Sequence, residues 1–116
     1  MEFNLEGRTK KFSKDLLVFI KKVKINDLNK NIILQLLRSG TSVGANYCEA
    51  INASSKKDFI NKIYICRKEI QETRYWVELL ATIEEEFIEN LRLLWKESHE
   101  LTLIFNKISK SAKNNN

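Results

Sequence analysis

Two glycines four residues apart, Gly40 and Gly44, lie in the middle of a stretch whose flanks otherwise favour helix. Inside a helix each costs about 0.8–1 kcal/mol relative to alanine. A helix that keeps both needs a compensating reason, and the close approach of a second helix backbone supplies one. The whole chain of 116 residues has no proline and only one other glycine, so little in it breaks long helices. These features predict a few long helices packed closely in one domain. Such a domain is large enough to bury a core and small enough to gain from oligomerisation.

Hydrophobic periodicity divides the chain into four segments. The first, about 9–25, lines up Phe12, Leu16, Phe19, Ile20 and Val23. The second, about 27–53 and capped by Asn26 or Asp27, lines up Ile33, Leu36, Gly40, Val43, Gly44, Tyr47 and Ile51. The third, about 56–82, starts after Ser54 or Ser55, and Ser55 with Asp58 resembles a capping box. The fourth, about 85–110, repeats Phe87, Leu91, Leu94, Ser98, Leu101, Phe105 and Ile108 as a heptad seam with one polar break. Residues 111–116 read as a frayed tail. The expected fold is all-α, an antiparallel up-down four-helix bundle.

The third segment carries more than one bundle requires. Besides Phe59, Ile63, Cys66, Ile70, Thr73, Val77 and Leu80, it has a second row on nearly the opposite side: Ile65, Glu69, Glu72, Trp76 and Leu79. A helix in a monomeric bundle needs only one apolar stripe. The second helix offers a matching small, polar face of Arg38, Ser42, Ala45, Asn46 and Glu49. These rows are the expected oligomer contact, with Arg38 pairing to Glu69 or Glu72 because a guanidinium fits carboxylates bidentately. The alternative is a solvated set of charges with Trp76 covering a helix end.

Charge is uneven. Twenty Lys and Arg oppose fifteen Asp and Glu, and the excess sits toward the N-terminus. Lys10, Lys11, Lys14, Lys21 and Lys22 form a stripe on the first helix that suits phosphate contact without base readout, since no aromatic residue is interleaved. A merely solubilising face is the competing reading. The longest apolar run, Leu16–Ile20, is far too short to span a bilayer, and the acidic N-terminus has no secretory pattern, so a cytoplasmic protein is expected. No catalytic or metal constellation is visible. Cys48 and Cys66 are eighteen residues apart and read as reduced thiols. His99 is the only histidine. Glu69 and Glu72 lack the Glu-x-x-His partner that carboxylate-bridged metal bundles use. No cofactor is expected, and no enzyme activity.

The chain resembles the small four-helix-bundle family named after proteins encoded in intervening sequences of 23S rRNA genes. The residues carrying this are Leu37-Arg38-Ser39, Thr41-Ser42-Val43-Gly44-Ala45-Asn46-Tyr47, Glu49-Ala50 and Ala53-Ser54-Ser55-Lys56-Lys57-Asp58-Phe59. Lys68-Glu69, Glu72-Thr73, Tyr75-Trp76 and Glu78-Leu79-Leu80 complete the pattern. Cys48 departs from it, standing where many members carry a basic residue. The resemblance implies a bundle that assembles into a ring, a homopentamer. It also implies kinship with accessory proteins of diversity-generating retroelements, which associate with a reverse transcriptase and with nucleic acid. Two functions stay open: an oligomeric scaffold that contacts RNA or DNA, and a protein-binding or self-assembling module with no nucleic-acid role.

Overall fold

Residues 4–114 are described by a computed structural model. Four helices follow one another: α1 (Leu5–Ile20), α2 (Lys30–Ile51), α3 (Lys56–Ile83) and α4 (Ile88–Asn114), with a 3-10 turn at Glu85–Phe87 leading into α4. Each helix packs on its two neighbours, α1 on α2 and α4, α3 on α2 and α4, while across the diagonal Tyr47 of α2 meets Phe105 of α4 edge-on at 6.0 Å. Partner numbers rise on one helix as they fall on the next. Gly44 lies against Thr9 and Gly40 against Leu16; Glu78 meets Trp95 and Arg74 meets His99. The bundle is therefore antiparallel and up-down, 47 × 26 × 20 Å.

The apolar rows expected from periodicity form the core. Phe12, Leu16 and Phe19 meet Ile33, Leu36 and Val43, while Ile63, Cys66, Ile70, Val77 and Leu80 face Leu91, Leu94, Leu101 and Phe105. Ile51 is the exception. It is 44% exposed, and Ala50 holds the buried position instead. Ser98, the polar break, is buried at no cost in unpaired groups, because its hydroxyl donates to the Trp95 carbonyl at 2.8 Å.

The two glycines do different things. A Cβ on Gly44 would sit 3.4 Å from the Thr9 carbonyl oxygen, so here the backbones of α1 and α2 do come together. A Cβ on Gly40 would instead lie 2.3 Å from Leu16 Cδ2. That glycine makes room for a core side chain.

Helix ends differ from the expected ones at α1, α2 and α4. The α1 helix starts at Leu5 because Asn4 Oδ1 accepts from the Gly7 N–H at 3.0 Å. It stops at Ile20, and Val23 keeps its place in the core from a turn rather than from a helix. The α2 helix begins at Lys30, not 27, since the Asn26 side chain accepts from the Leu28 and Asn29 N–H groups and closes a turn first. Ser55 caps α3 as expected, accepting from the Asp58 N–H at 3.0 Å. The α4 helix continues to Asn114, so residues 111–114 are helical rather than frayed. The last two residues of the expected tail, like the first three of the chain, lie outside the described residues.

One side chain ties an end of the bundle together. Asn29 is fully buried. Its Nδ2 donates to the Lys24 carbonyl and to Glu84 Oε2, both at 3.0 Å, and its Oδ1 accepts from the Asn26 N–H at 2.8 Å. The α1–α2 connection is thereby fastened to the junction of α3 and α4. At the other end, Arg8 makes a bidentate pair with Glu97 at 2.7 and 2.8 Å, fixing α1 to α4.

Candidate functional site

The α2–α3 groove gathers most of the residues expected at an oligomer contact. At 100° per residue, the two rows of α3 are roughly 110° apart rather than opposite. The second row therefore flanks the core row and runs along α2. Arg38 donates to Glu69 at 3.2 and 3.4 Å and to Glu72 Oε2, while Trp76 Nε1 donates to the same Glu72 oxygen at 3.2 Å. This pairing closes within the subunit. Glu69 is buried, Glu72 and Trp76 are half-buried, and half of the Arg38 side chain remains exposed. Partial burial pushes the Glu72 carboxyl up, but the hydrogen bonds from Trp76 and Arg38 outweigh it and hold the group below the usual carboxylate range.

Ser42 and Asn46 are half-buried and turn their polar atoms onto their own helix, donating to the Arg38 and Ser42 carbonyls at 2.8 Å. Glu49 pairs with Lys62 at 2.8 Å. Ile65 and Leu79 are half-buried on α3, above and below the acidic pair. Beneath this face, Thr73 Oγ1 donates to the Glu69 carbonyl at 2.7 Å and also meets Ser39 Oγ at 3.0 Å, so α2 and α3 are polar-locked even inside the core. The face is close to charge-balanced, with half-buried apolar groups between paired ions.

The lysine stripe stands apart from it. Lys10, Lys11 and Lys14 lie on α1, while Lys21 and Lys22 continue the stripe past its end; all five are exposed. Lys11 is tied to Asp15 at 2.6 Å. No ion pair is recorded among the described residues for Lys10, Lys14, Lys21 or Lys22. Between them sit Leu17 and Val18, 46% and 56% exposed, an apolar patch inside the basic one. Cys48 is exposed and shares a shallow α1–α2 cleft with Lys10. The stripe and the α2–α3 groove lie on different sides of the bundle and do not form one site.

A third surface, along α3 and α4, was not singled out by sequence reasoning. Arg74 Nη1 lies 2.8 Å from His99 Nδ1, where the ring nitrogen accepts a hydrogen bond from the guanidinium. Trp95 stacks on His99 at 5.1 Å and donates to Glu78 at 2.7 Å, and Arg74 sits 5.8 Å over the Trp95 ring. The signal was Arg67 and Arg74, seven apart on one helix face. Their partners lie on another helix, so no single-helix pattern joins them.

Cys66 is buried, its Sγ 3.6 Å from the Val43 carbonyl, and burial pushes its thiol up to about 12. It is no nucleophile at neutral pH. Among the described residues, no three His, Cys, Asp or Glu side chains converge as a metal site requires, and no helix is long and apolar enough to cross a membrane.

Comparison with known proteins agrees with this architecture. The model of the 23S rRNA-intervening sequence protein family matches residues 7–107. Among solved structures, the chain is similar to a protein of unknown function from the S23 ribosomal protein family of Bacteroides thetaiotaomicron VPI-5482. The two share 36% identity over 90% of this chain and 97% of that one, with a TM-score of 0.81. No curated protein matches.

Proposed function

The chain belongs to the 23S rRNA-intervening sequence protein family, and from that premise we propose that it is a non-enzymatic, homo-oligomeric scaffold that contacts RNA or DNA. The α2–α3 groove is the subunit contact and the α1 lysine face is the nucleic-acid contact. One observation carries the second assignment: Lys10, Lys14, Lys21 and Lys22 are exposed, and none is recorded in an ion pair among the described residues. Ammonium groups that no carboxylate neutralises are free to displace counterions from phosphates. Repetition of the stripe around an assembly multiplies weak contacts through effective concentration. A homopentameric ring and a reverse-transcriptase partner are the forms the family resemblance suggests for the assembly and its client.

The test is the salt dependence of nucleic-acid retention. Each neutralised phosphate contributes a log–log slope of about −0.9 on duplex DNA and about −0.7 on single strands. Replacing Lys10, Lys14 and Lys21 by glutamine should flatten the slope by roughly two to three contacts and weaken all sequences alike. A wild type that retains neither duplex nor single strand at low salt overturns the reading. The exposed Leu17 and Val18 favour the second reading, a protein-binding module. That reading predicts no slope to alter and a partner lost on Val18→Glu.

A further inference from the structure

A cleft of about 440 Å³ opens between the N-terminal half of α3 and the C-terminal half of α4, lined by Tyr64, Arg67, Asn106, Ser109, Lys110 and Lys113. Three of its six lining residues are cations and none is a carboxylate. No ion pair is recorded among the described residues for Arg67, Lys110 or Lys113. Arg67 is held with its guanidinium 5.2 Å over the Tyr64 ring, which restricts its position without neutralising it.

Ser109 supplies an independent sign of a missing partner. The residue is 3% exposed, and among the described residues its Oγ is the buried side-chain oxygen that finds no hydrogen bond. Other hydroxyls inside these helices are satisfied by a carbonyl of the preceding turn, as Thr9 is by Leu5, Thr73 by Glu69 and Thr102 by Ser98. Ser109 has the same option one turn back and does not use it. Buried polar groups in native proteins are rarely left so.

We propose that this cleft binds the phosphate ester of a nucleotide. A guanidinium fork, two ammonium groups and a carboxamide form a donor-rich set that a tetrahedral oxyanion satisfies and a neutral ligand does not, with the unpaired Ser109 hydroxyl buried in the wall behind them. The volume lies in the range that holds small organic ligands, larger than a bare phosphate needs, and leaves room for a sugar and base beside Tyr64. The site is distinct from the α1 lysine face, because its lining comes from α3 and α4 and none of it from α1. It stands or falls independently of the scaffold reading.

Two probes at constant ionic strength test it: uridine 5′-monophosphate and a short oligouridylate, followed by ¹H–¹⁵N NMR. Saturable shifts should centre on Tyr64, Arg67, Asn106 and Ser109 with the monophosphate, and the same set should shift with the oligomer alongside any response of the α1 lysine face. Response to the monophosphate alone assigns the site to a terminal phosphate, and response to the oligomer alone to a phosphodiester within a strand; both support it. Arg67→Ala and Lys110→Gln should each weaken binding by about tenfold, the loss of one charge-assisted hydrogen bond. Lys110 is exposed, so its variant keeps the test valid should Arg67→Ala unfold. The Lys10, Lys14 and Lys21 triple glutamine variant should bind the monophosphate as the wild type does. Shifts that do not saturate, shifts spread evenly over every lysine-bearing surface, or wild-type affinity in both cleft variants overturn the inference.

Discussion

The two flanks of α3 are built from the same parts and reach opposite electrostatic states. Toward α2, the guanidinium of Arg38 is answered by two carboxylates, one of which also accepts from the Trp76 indole N–H. Toward α4, Arg74 is answered by an imidazole nitrogen and the face of Trp95, and Arg67 by a phenol ring. A carboxylate cancels the charge of an arginine, whereas a ring only holds it in place. The first flank is therefore suited to burial against protein, where an unpaired charge is costly. The second keeps positive charge fixed and available to an anion.

The largest effect should come from the two thiols, which report whether the α2 flank stays shut. Cys66 should react with a thiol reagent on the order of 10³-fold or more slowly than exposed Cys48, because modification requires an opening that costs several kcal/mol. Comparable rates would show a flank that breathes, and would break the contrast.

Next comes assembly. Trp76→Glu should weaken self-association by about 2 kcal/mol, roughly 30-fold, read as a fall in light-scattering mass with helicity retained. Arg74→Ala, on the other flank, should leave the mass unchanged. A reversed pattern would exchange the roles of the two grooves.

Arg38→Ala should lower unfolding stability by roughly 1–2 kcal/mol in denaturant titration, because buried Glu69 loses its partner. The cost stays toward the lower end since half of Arg38 is in water. Arg74→Ala leaves no carboxylate stranded and should cost less.

The smallest effect is on pH. Glu72 is held below the usual carboxylate range in the folded chain. Its contribution to stability is therefore complete above the unfolded pKa and is lost as pH falls through the folded one. Wild type and Glu72→Gln should differ in melting temperature near pH 7 and converge in acid. A gap that widens on acidification would mean that Arg38 does not stabilise the charged form.

The bundle itself was legible because four apolar rows at helical spacing admit few other folds. The partners of Arg38 were legible because Glu69 and Glu72 share one helix face, but the pairing expected across an oligomer contact closes within one subunit. Helix ends were less so. Val23 keeps the apolar period although the chain has left the helix, and Lys30 starts α2 because Asn26 first closes a turn. The two rows of α3, expected on nearly opposite sides, lie about a third of a turn apart, which lets both pack within one subunit. Periodicity says which positions share a face, not which neighbour covers it. The α3–α4 cleft shows this most clearly. Tyr64 and Arg67 on one helix, and Asn106, Ser109, Lys110 and Lys113 on the other, make a site only once antiparallel packing has chosen the register.

Asn29 sets a rule for how this scaffold can be altered. Its amide joins the α1–α2 connection to Glu84, so inserting residues between Lys24 and Asn29 would pull a fully buried carboxamide away from three partners. Among the described residues the Asn52–Ser54 connection at the other end shows no comparable clasp, and its exposed Asn52 and Ser54 precede the Ser55 cap without depending on it. Loops of that kind are the ones that accept inserted sequence. A reporter domain or a circularly permuted terminus belongs at exposed Ser54, where new chain can be spliced in while the fastened end of the bundle stays closed.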